Sequence, residues 1–447
     1  MSRRSFLRCS GIASSALTLS PFFLERMTAV CGAAGSLTRV YKVMNGADCF
    51  QNIAKLWELL GGPAAYISPT DVVVIKGNAQ WPNQGYTHTG CIKAVIDAIL
   101  QIPGFSGEIL LCDNIQGSGS GGGTSGFDVP SSSRTNNWPT MNWTELGTYY
   151  QSQGKPVATV QWQNDSTWRS PESVPSFSVW NPANGPGWTR YFLNYNGRNT
   201  YISSPVFQSP ITPGRMIDMK NGVWENGSYT GRKVKAIFMP TLNNHDWSGG
   251  AEDYAGVTSA VKSFFGATEI FHGSPSYISD DYIWNGFYSI HASSFTQSDA
   301  LAAGNLVGTF INNLYAPVLY ITAAIYSGWY NRTASDGAAY TNTVLACTNP
   351  VSLDYIACRD VISKAGSPAP AFLDPSTKNN NTWLQLSGCS SQGIGTTDPL
   401  QMEVLTYDFS HPSATRLDVE RKIRDFKAGL ATDQDVQDVI KLYMSGP

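Results

Sequence analysis

The six residues Asp71-Val72-Val73-Val74-Ile75-Lys76 constrain the fold more than any other stretch of this 447-residue chain. Four consecutive β-branched residues with no polar alternate leave no face for water, so a strand made from them must be covered on both sides. Such a strand belongs in a parallel sheet between layers of helix. The flanking pattern agrees. Ile53, Leu56, Trp57 and Leu60 recur at helical spacing and Gly61-Gly62-Pro63 stops them, while Ile92, Val95, Ile96 and Ile99 line one helix face after the strand.

Residues 107–113, 156–162, 234–240, 317–323 and 343–347 read as further strands, and 144–153, 254–265, 298–314 and 353–364 as helices. The order predicts an α/β fold, a mostly parallel sheet flanked by helices. Two segments break the rhythm. Residues 117–126 are nearly all Gly and Ser, a loop directly after a strand, without the GxxxxGK spacing of a phosphate cradle. Residues 162–230, rich in Trp, Asn, Pro, Ser and Tyr, read as an irregular β/loop insertion within an α/β domain spanning 35–412.

Residues 413–447 carry 12 charged residues in 35, against 14% for the whole chain. Ile423 and Phe426, then Val436, Val439, Ile440 and Tyr443, fall at helical spacing, with Thr415 and Thr432 as N-caps. This is a C-terminal helical hairpin, either packed on its own domain or offering a surface to a protein partner. Hydrophobic residues at 42% supply an ample core and exclude a disordered chain. The net charge of −3 gives no basic footprint for nucleic acid.

The opening Ser2-Arg3-Arg4-Ser5-Phe6-Leu7-Arg8, followed by a mildly apolar run to Leu24, resembles a bacterial twin-arginine export signal. The resemblance implies a signal peptide over 1–34, the twin-arginine export machinery as a partner, and an exported, periplasmic or extracellular protein. Pro21 interrupts the run, which is too short for a permanent membrane anchor. The uncharged stretch 306–330 contains Asn312, Asn313 and Pro317 and reads as a helix followed by a strand.

Eight cysteines are present, at 9, 31, 49, 91, 112, 347, 358 and 389. None forms a CxxC pair or the close-spaced run of iron–sulfur ligation. Cys112 and Cys347 read as buried free thiols within strands.

Open α/β sheets collect ligands beyond the carboxyl ends of their strands. Those ends here carry Lys76 and Asn78, then Asp113 and Asn114, then Asn243-Asn244-His245, and finally Asn349-Pro350 leading to Asp354. Thr87-His88-Thr89 opens a helix beside the first of them. His88 and His245 are expected as metal ligands or acid/base groups. Lys76 and Lys262 are expected to hold an anionic substrate or cofactor with Asp113 and Asp354 orienting them, and Asn78 and Asn114 to contact the cofactor. Two histidines and a carboxylate would suit a divalent metal. Each residue alone has a plainer role: a helix cap for His88, a loop residue for His245, a solvated end for Lys76.

Three blocks of the sequence resemble the domain-of-unknown-function 362 family. They are Asp71 through Asn78 with Thr87-His88 and Ala94-Val95-Ile96-Asp97-Ala98, then Met239 through His245 with 256–266, then Asn349-Pro350-Val351-Ser352-Leu353-Asp354-Tyr355-Ile356-Ala357. They span about residues 70–360 in the family's order. The resemblance implies an α/β fold with a site at the strand ends and leaves the reaction unassigned. The chain departs from the family pattern at Asn243-Asn244, where a lysine is usual, and at Thr322-Ala323-Ala324, where an aspartate is usual. The insertion has no counterpart, and the iron–sulfur cysteines of some relatives are absent.

Two functions follow as expectations. One is an exported enzyme or cofactor- and metal-binding protein that acts on a small molecule at the strand ends. The other is a non-catalytic binding or surface protein that keeps the fold, with Trp162, Trp168, Trp180 and Trp188 of the insertion as a contact surface.

Overall fold

The structure, a computed structural model, describes residues 37–445 apart from 80, 115–125, 130–135, 137, 163–176, 196–197, 245–255, 270–283, 287–296, 334–336, 367–370, 411–415, 428 and 430. The expected signal (1–34), the Gly/Ser loop at 117–125, His245, Trp168 and Thr415 lie outside the described residues.

The chain enters through β1 (Thr38–Met44) and α1 (Cys49–Leu60). It continues through β2 (Val72–Lys76), α2 (Thr89–Leu100), β3 (Glu108–Asp113), α3 (Trp143–Ser152) and β4 (Val157–Gln161). Strands β5 (Phe177–Ser178), β6 (Gly187–Tyr195), β7 (Arg198–Gln208), β8 (Met216–Asp218), β9 (Gly222–Glu225) and β10 (Ser228–Tyr229) follow. After β11 (Val234–Phe238) and the short β12 (Trp284–Asn285) come α4 (Gln297–Asn313), β13 (Leu319–Ser327), β14 (Ala339–Cys347) and α5 (Pro350–Ala357). The last elements are α6 (Asn381–Ser391), β15 (Met402–Asp408), α7 (Arg416–Lys427) and α8 (Asp433–Ser445).

The main sheet has eight strands in the order β15-β1-β14-β13-β11-β2-β3-β4. All neighbouring pairs are parallel except the two made by β14. The fold is the expected α/β class with a mostly parallel sheet. All five residues of β2 are buried, as its unbroken β-branched run requires. Its side chains part by pleat: Val73 and Ile75 join Ile109 and Leu111 under α1, α2 and α3, while Val72 and Val74 join Leu110 and Cys112 on the opposite face. That opposite layer is completed by Leu306, Val307 and Phe310 of α4, Val351 and Leu353 of α5, and Leu386 of α6.

The insertion is β, as expected, but its described part is regular: an antiparallel sheet in the order β10-β9-β8-β7-β6-β5, with β12 alongside β7. Trp188, Ile202, Phe207 and Ile217 from this sheet share the core of the main one. Two ion pairs tie this sheet to the main sheet and to the segment after the Lys262–Gly266 turn. Glu108 at the start of β3 accepts from Ser209 Oγ (2.7 Å) and pairs with Arg215, and Arg190 on β6 makes two bonds to Glu269 (2.9 and 3.0 Å). Trp162, Trp180 and Trp188 are buried, which withdraws them from the expected contact surface.

Two other expectations are corrected. Residues 256–265 are not helical beyond a 3-10 turn at Lys262–Gly266. Their backbone is spent elsewhere: Thr258 bridges Asn243, and the Ala260 and Val261 amides bond the Asp354 carboxylate at 2.8 and 2.7 Å. The strand ending at Cys347 runs against its neighbours, so Cys347 pairs with Tyr320 near the start of β13, at the edge opposite the expected site. The C-terminal hairpin forms as read. Val419, Ile423 and Val436 make a small core of their own, and Thr432 and Asp435 cap α8 reciprocally at 2.7 and 3.2 Å. Among the described residues, no helix is long and apolar enough to cross a membrane.

Candidate metal centre at the carboxyl edge of the sheet

Two helices begin side by side at the carboxyl edge. Asp48, in extended conformation, caps α1 by accepting from Gln51 N at 2.8 Å, which makes Cys49 the first helical residue. The approach to α1 is braced by an amide ring. Gly46 N donates to Asn52 Oδ1 (2.9 Å), Asn52 Nδ2 to Asn342 Oδ1 (2.8 Å), and Asn342 Nδ2 to Gly46 O (2.8 Å). Asn342 holds φ at +38°, a conformation asparagine tolerates better than most side chains. His88 caps α2: its Nδ1 accepts a long bond of 3.4 Å from the backbone of Cys91 in the first turn.

These two starts bring Cys49, His88 and Cys91 together. Their donor atoms lie within 4.8 Å of one another, and all three residues are buried. Gly90 makes the approach feasible. A Cβ there would sit 2.7 Å from Cys49 Sγ and 2.9 Å from His88 Cε1. Trp138 lies beside His88 and Phe50, with ring centroids 6.5 and 5.8 Å away.

The electrostatics favour a thiolate. Two helix N-termini point their partial positive charge at the sulfurs. The hydrogen bond from Cys91 pulls the Cys49 thiol down to about 6 against the opposing effect of burial, with His88 assisting. Burial pushes Cys91 well above the ordinary thiol range. The two effects favour negative charge on Cys49 over Cys91. Two sulfurs and an imidazole form the donor set of a three-ligand zinc site, which needs donors about 3.5–3.8 Å apart and leaves a fourth position open. The group is within about 1 Å of that spacing.

Lys76 and Asp113 meet on the other face of the sheet. Lys76 Nζ lies 3.2 Å from Asp113 Oδ1 and donates to Ser263 Oγ at 3.0 Å. Asp113 Oδ2 accepts from Ala79 N at 2.7 Å. Gly266 leaves room for the pair, since a Cβ there would be 2.7 Å from Lys76 Nζ. Burial drives the ammonium down and the carboxyl up, and each partner opposes the other's shift. Asn114 joins this cluster through Gly266 O (3.2 Å) and Thr268 O (2.6 Å).

The other expected residues do not converge on either group. Asn78 uses its side chain on Thr241 N (3.2 Å) and its backbone on Thr87, tying the end of β2 to the turn before His88. Lys262 is buried and donates to Gly256 O at 3.1 Å. Asp354 holds the 260–261 turn, with its carboxyl pushed up to about 7 by burial. His88 keeps its place as a candidate metal ligand, but its described companions are cysteines. The two cysteines stand 42 positions apart, so no local motif joins them. The readable signal was His88-x-x-Cys91, a ligand pair spanning the first turn of a helix. Comparison with known proteins adds nothing to this geometry: no family model, curated protein or solved structure matches the chain.

Proposed function

We propose that this chain is a metal-binding α/β protein in which Cys49, His88 and Cys91 hold a divalent, thiolate-seeking cation, zinc in the first instance. The observation that carries the reading is the convergence of three buried donors within 4.8 Å at two helix N-termini. Sulfur and imidazole donors select zinc over magnesium or calcium. Zinc held by three protein ligands polarises a water or carbonyl in its fourth position. The chain's own part is to fix the sulfurs by the two caps, to leave them room beside Gly90, and to pack Trp138 against His88.

The domain-of-unknown-function 362 resemblance and the twin-arginine signal complete the proposal, as an exported protein that acts on a small molecule at the carboxyl edge. A second reading, a binding protein without turnover, draws on Lys76, Asp113 and Asp354, each engaged with a partner inside the protein. A protein partner at α7 and α8 remains part of both readings.

Zinc titration of metal-free, reduced protein against a competing chelator tests the site. One equivalent is expected, lost in Cys49→Ser, His88→Ala and Cys91→Ser. Stoichiometry below a tenth, or binding unchanged in all three variants, overturns the reading.

A further inference from the structure

We propose that Cys49 and Cys91 are a reversible dithiol–disulfide pair, oxidised by small-molecule disulfides, and that forming their bond empties the metal site. The inference deepens the zinc reading and its second clause rests on it. The argument starts from where the thiols are. Of the six described cysteines, all unpaired, Cys112, Cys347, Cys358 and Cys389 lie in the core layer on one face of the main sheet. Cys49 and Cys91 lie on the other face, in mutual contact.

Their placement supplies the features that separate an exchanging pair from inert buried thiols. The sulfurs lie within 4.8 Å, so closing to a disulfide of about 2.05 Å needs a side-chain rotation and small backbone adjustment. Access is unequal: Cys49 retains 7% exposure at the start of α1, and Cys91 has none. Cys49 is therefore the entering thiol and Cys91 the resolving one. Gly90, without a side chain, leaves space beside Cys49 Sγ and the His88 ring, in which Cys49 Sγ can move.

The exchange balances. The Cys49 thiolate attacks one sulfur of the small disulfide, forming a mixed disulfide and expelling one thiolate. The Cys91 sulfur then attacks Cys49 Sγ and expels the second. Two electrons pass from the protein pair to the small molecule; the Cys91 proton goes to one released thiolate, and the other takes from solvent the proton that Cys49 had already given up. A sulfur bonded to sulfur is no longer a thiolate donor. His88 is left as the single ligand, too few to retain zinc.

The test uses the full chain. Reduced, metal-free protein is incubated in glutathione disulfide and mapped by non-reducing peptide mass spectrometry, and a zinc-loaded sample is treated in parallel with a zinc indicator. A Cys49–Cys91 peptide, a loss of two hydrogens, reversal by dithiothreitol and release of one zinc equivalent are expected. Cys91→Ser should stop at glutathione bound to Cys49. Persistent free thiols, or a stable mixed disulfide in the unaltered chain, overturn the pair. Zinc retained by the disulfide form overturns the mutual exclusion. If no zinc binds yet the disulfide forms, the metal reading fails and the pair is supported.

Discussion

Lys76 Nζ and Asp113 Oδ1 stand 3.2 Å apart at the ends of adjacent parallel strands, with side chains 0% and 3% exposed. Two charges so placed are costly to bring out of water, and each is tolerable only because of the other. Replacing Lys76 with Met should therefore cost about 3–5 kcal/mol. Lys76→Met with Asp113→Asn, which keeps an acceptor for Ala79 N, should recover most of it. Urea unfolding of the four-member cycle measures the coupling. Simple additivity would show that the pair does not act as a unit.

Gly90→Ala tests the metal centre without removing a ligand. The added methyl would meet Cys49 Sγ at 2.7 Å and His88 Cε1 at 2.9 Å, so the donors cannot keep their spacing. Zinc affinity should fall at least tenfold while the circular dichroism spectrum is kept. Unchanged affinity would place the metal elsewhere.

Alkylation of the zinc-free protein should follow the low thiol value at Cys49. With that thiol pulled down to about 6, the rate at Cys49 should hold from pH 8 to 7 and halve near pH 6, rather than near 8.5 as for a free cysteine. Cys91→Ala, which removes the donor, should move the midpoint upward, because the Cys91 hydrogen bond is the leading cause. Zinc should suppress the reaction. Iodoacetamide with peptide mapping supplies the rates.

Asp354 gives the opposite pH signature. Its carboxyl is raised to about 7 in the fold by burial, while in the unfolded chain it releases its proton near 4. Between those values the folded state holds the extra proton, so this group's contribution to stability falls as pH rises from about 4 to 7 and is flat above. Asp354→Asn removes that slope and leaves one carbonyl oxygen for two amides. Its deficit should be about 1–3 kcal/mol near pH 4.5 and narrow toward pH 7. A deficit that widens over that range would refute the assignment.

Removing residues 413–447 should leave the melting temperature of the remainder within about 2 °C, because Val419, Ile423 and Val436 form their own cluster. A larger loss would mean that the hairpin is part of the domain's core.

How much the sequence disclosed depended on how many faces an element buries. Strands β2 and β3 were legible because burial on both sides leaves an unbroken apolar run. Strands β1 and β15 were not. Each buries only two of seven residues, at every third position, and neither the two-residue nor the continuous pattern results. At 256–265 the apolar spacing is helical, but a carboxylate contributed from residue 354 outcompetes helical bonding for two amides. The candidate site divides in the same way. His88 was visible as the residue opening a helix at a strand end. The cysteines beside it were not, because their meeting depends on how α1 packs against α2. The ends of β2 and β3 set Lys76 and Asp113 on neighbouring strands, but no local pattern shows that Ser263 and Gly266 close over them.

The reversal of β14 has a temporal consequence. Because that strand alone runs backwards, its early residue Asn342 reaches the carboxyl edge and closes the amide ring that seats α1. A chain growing from its amino end holds both cysteines and the histidine after 91 residues, yet lacks this clasp for another 251. Ligand identity is thus settled early in synthesis and ligand geometry late. Under the proposed metal-binding function, tight retention of the ion is a readout of completed folding.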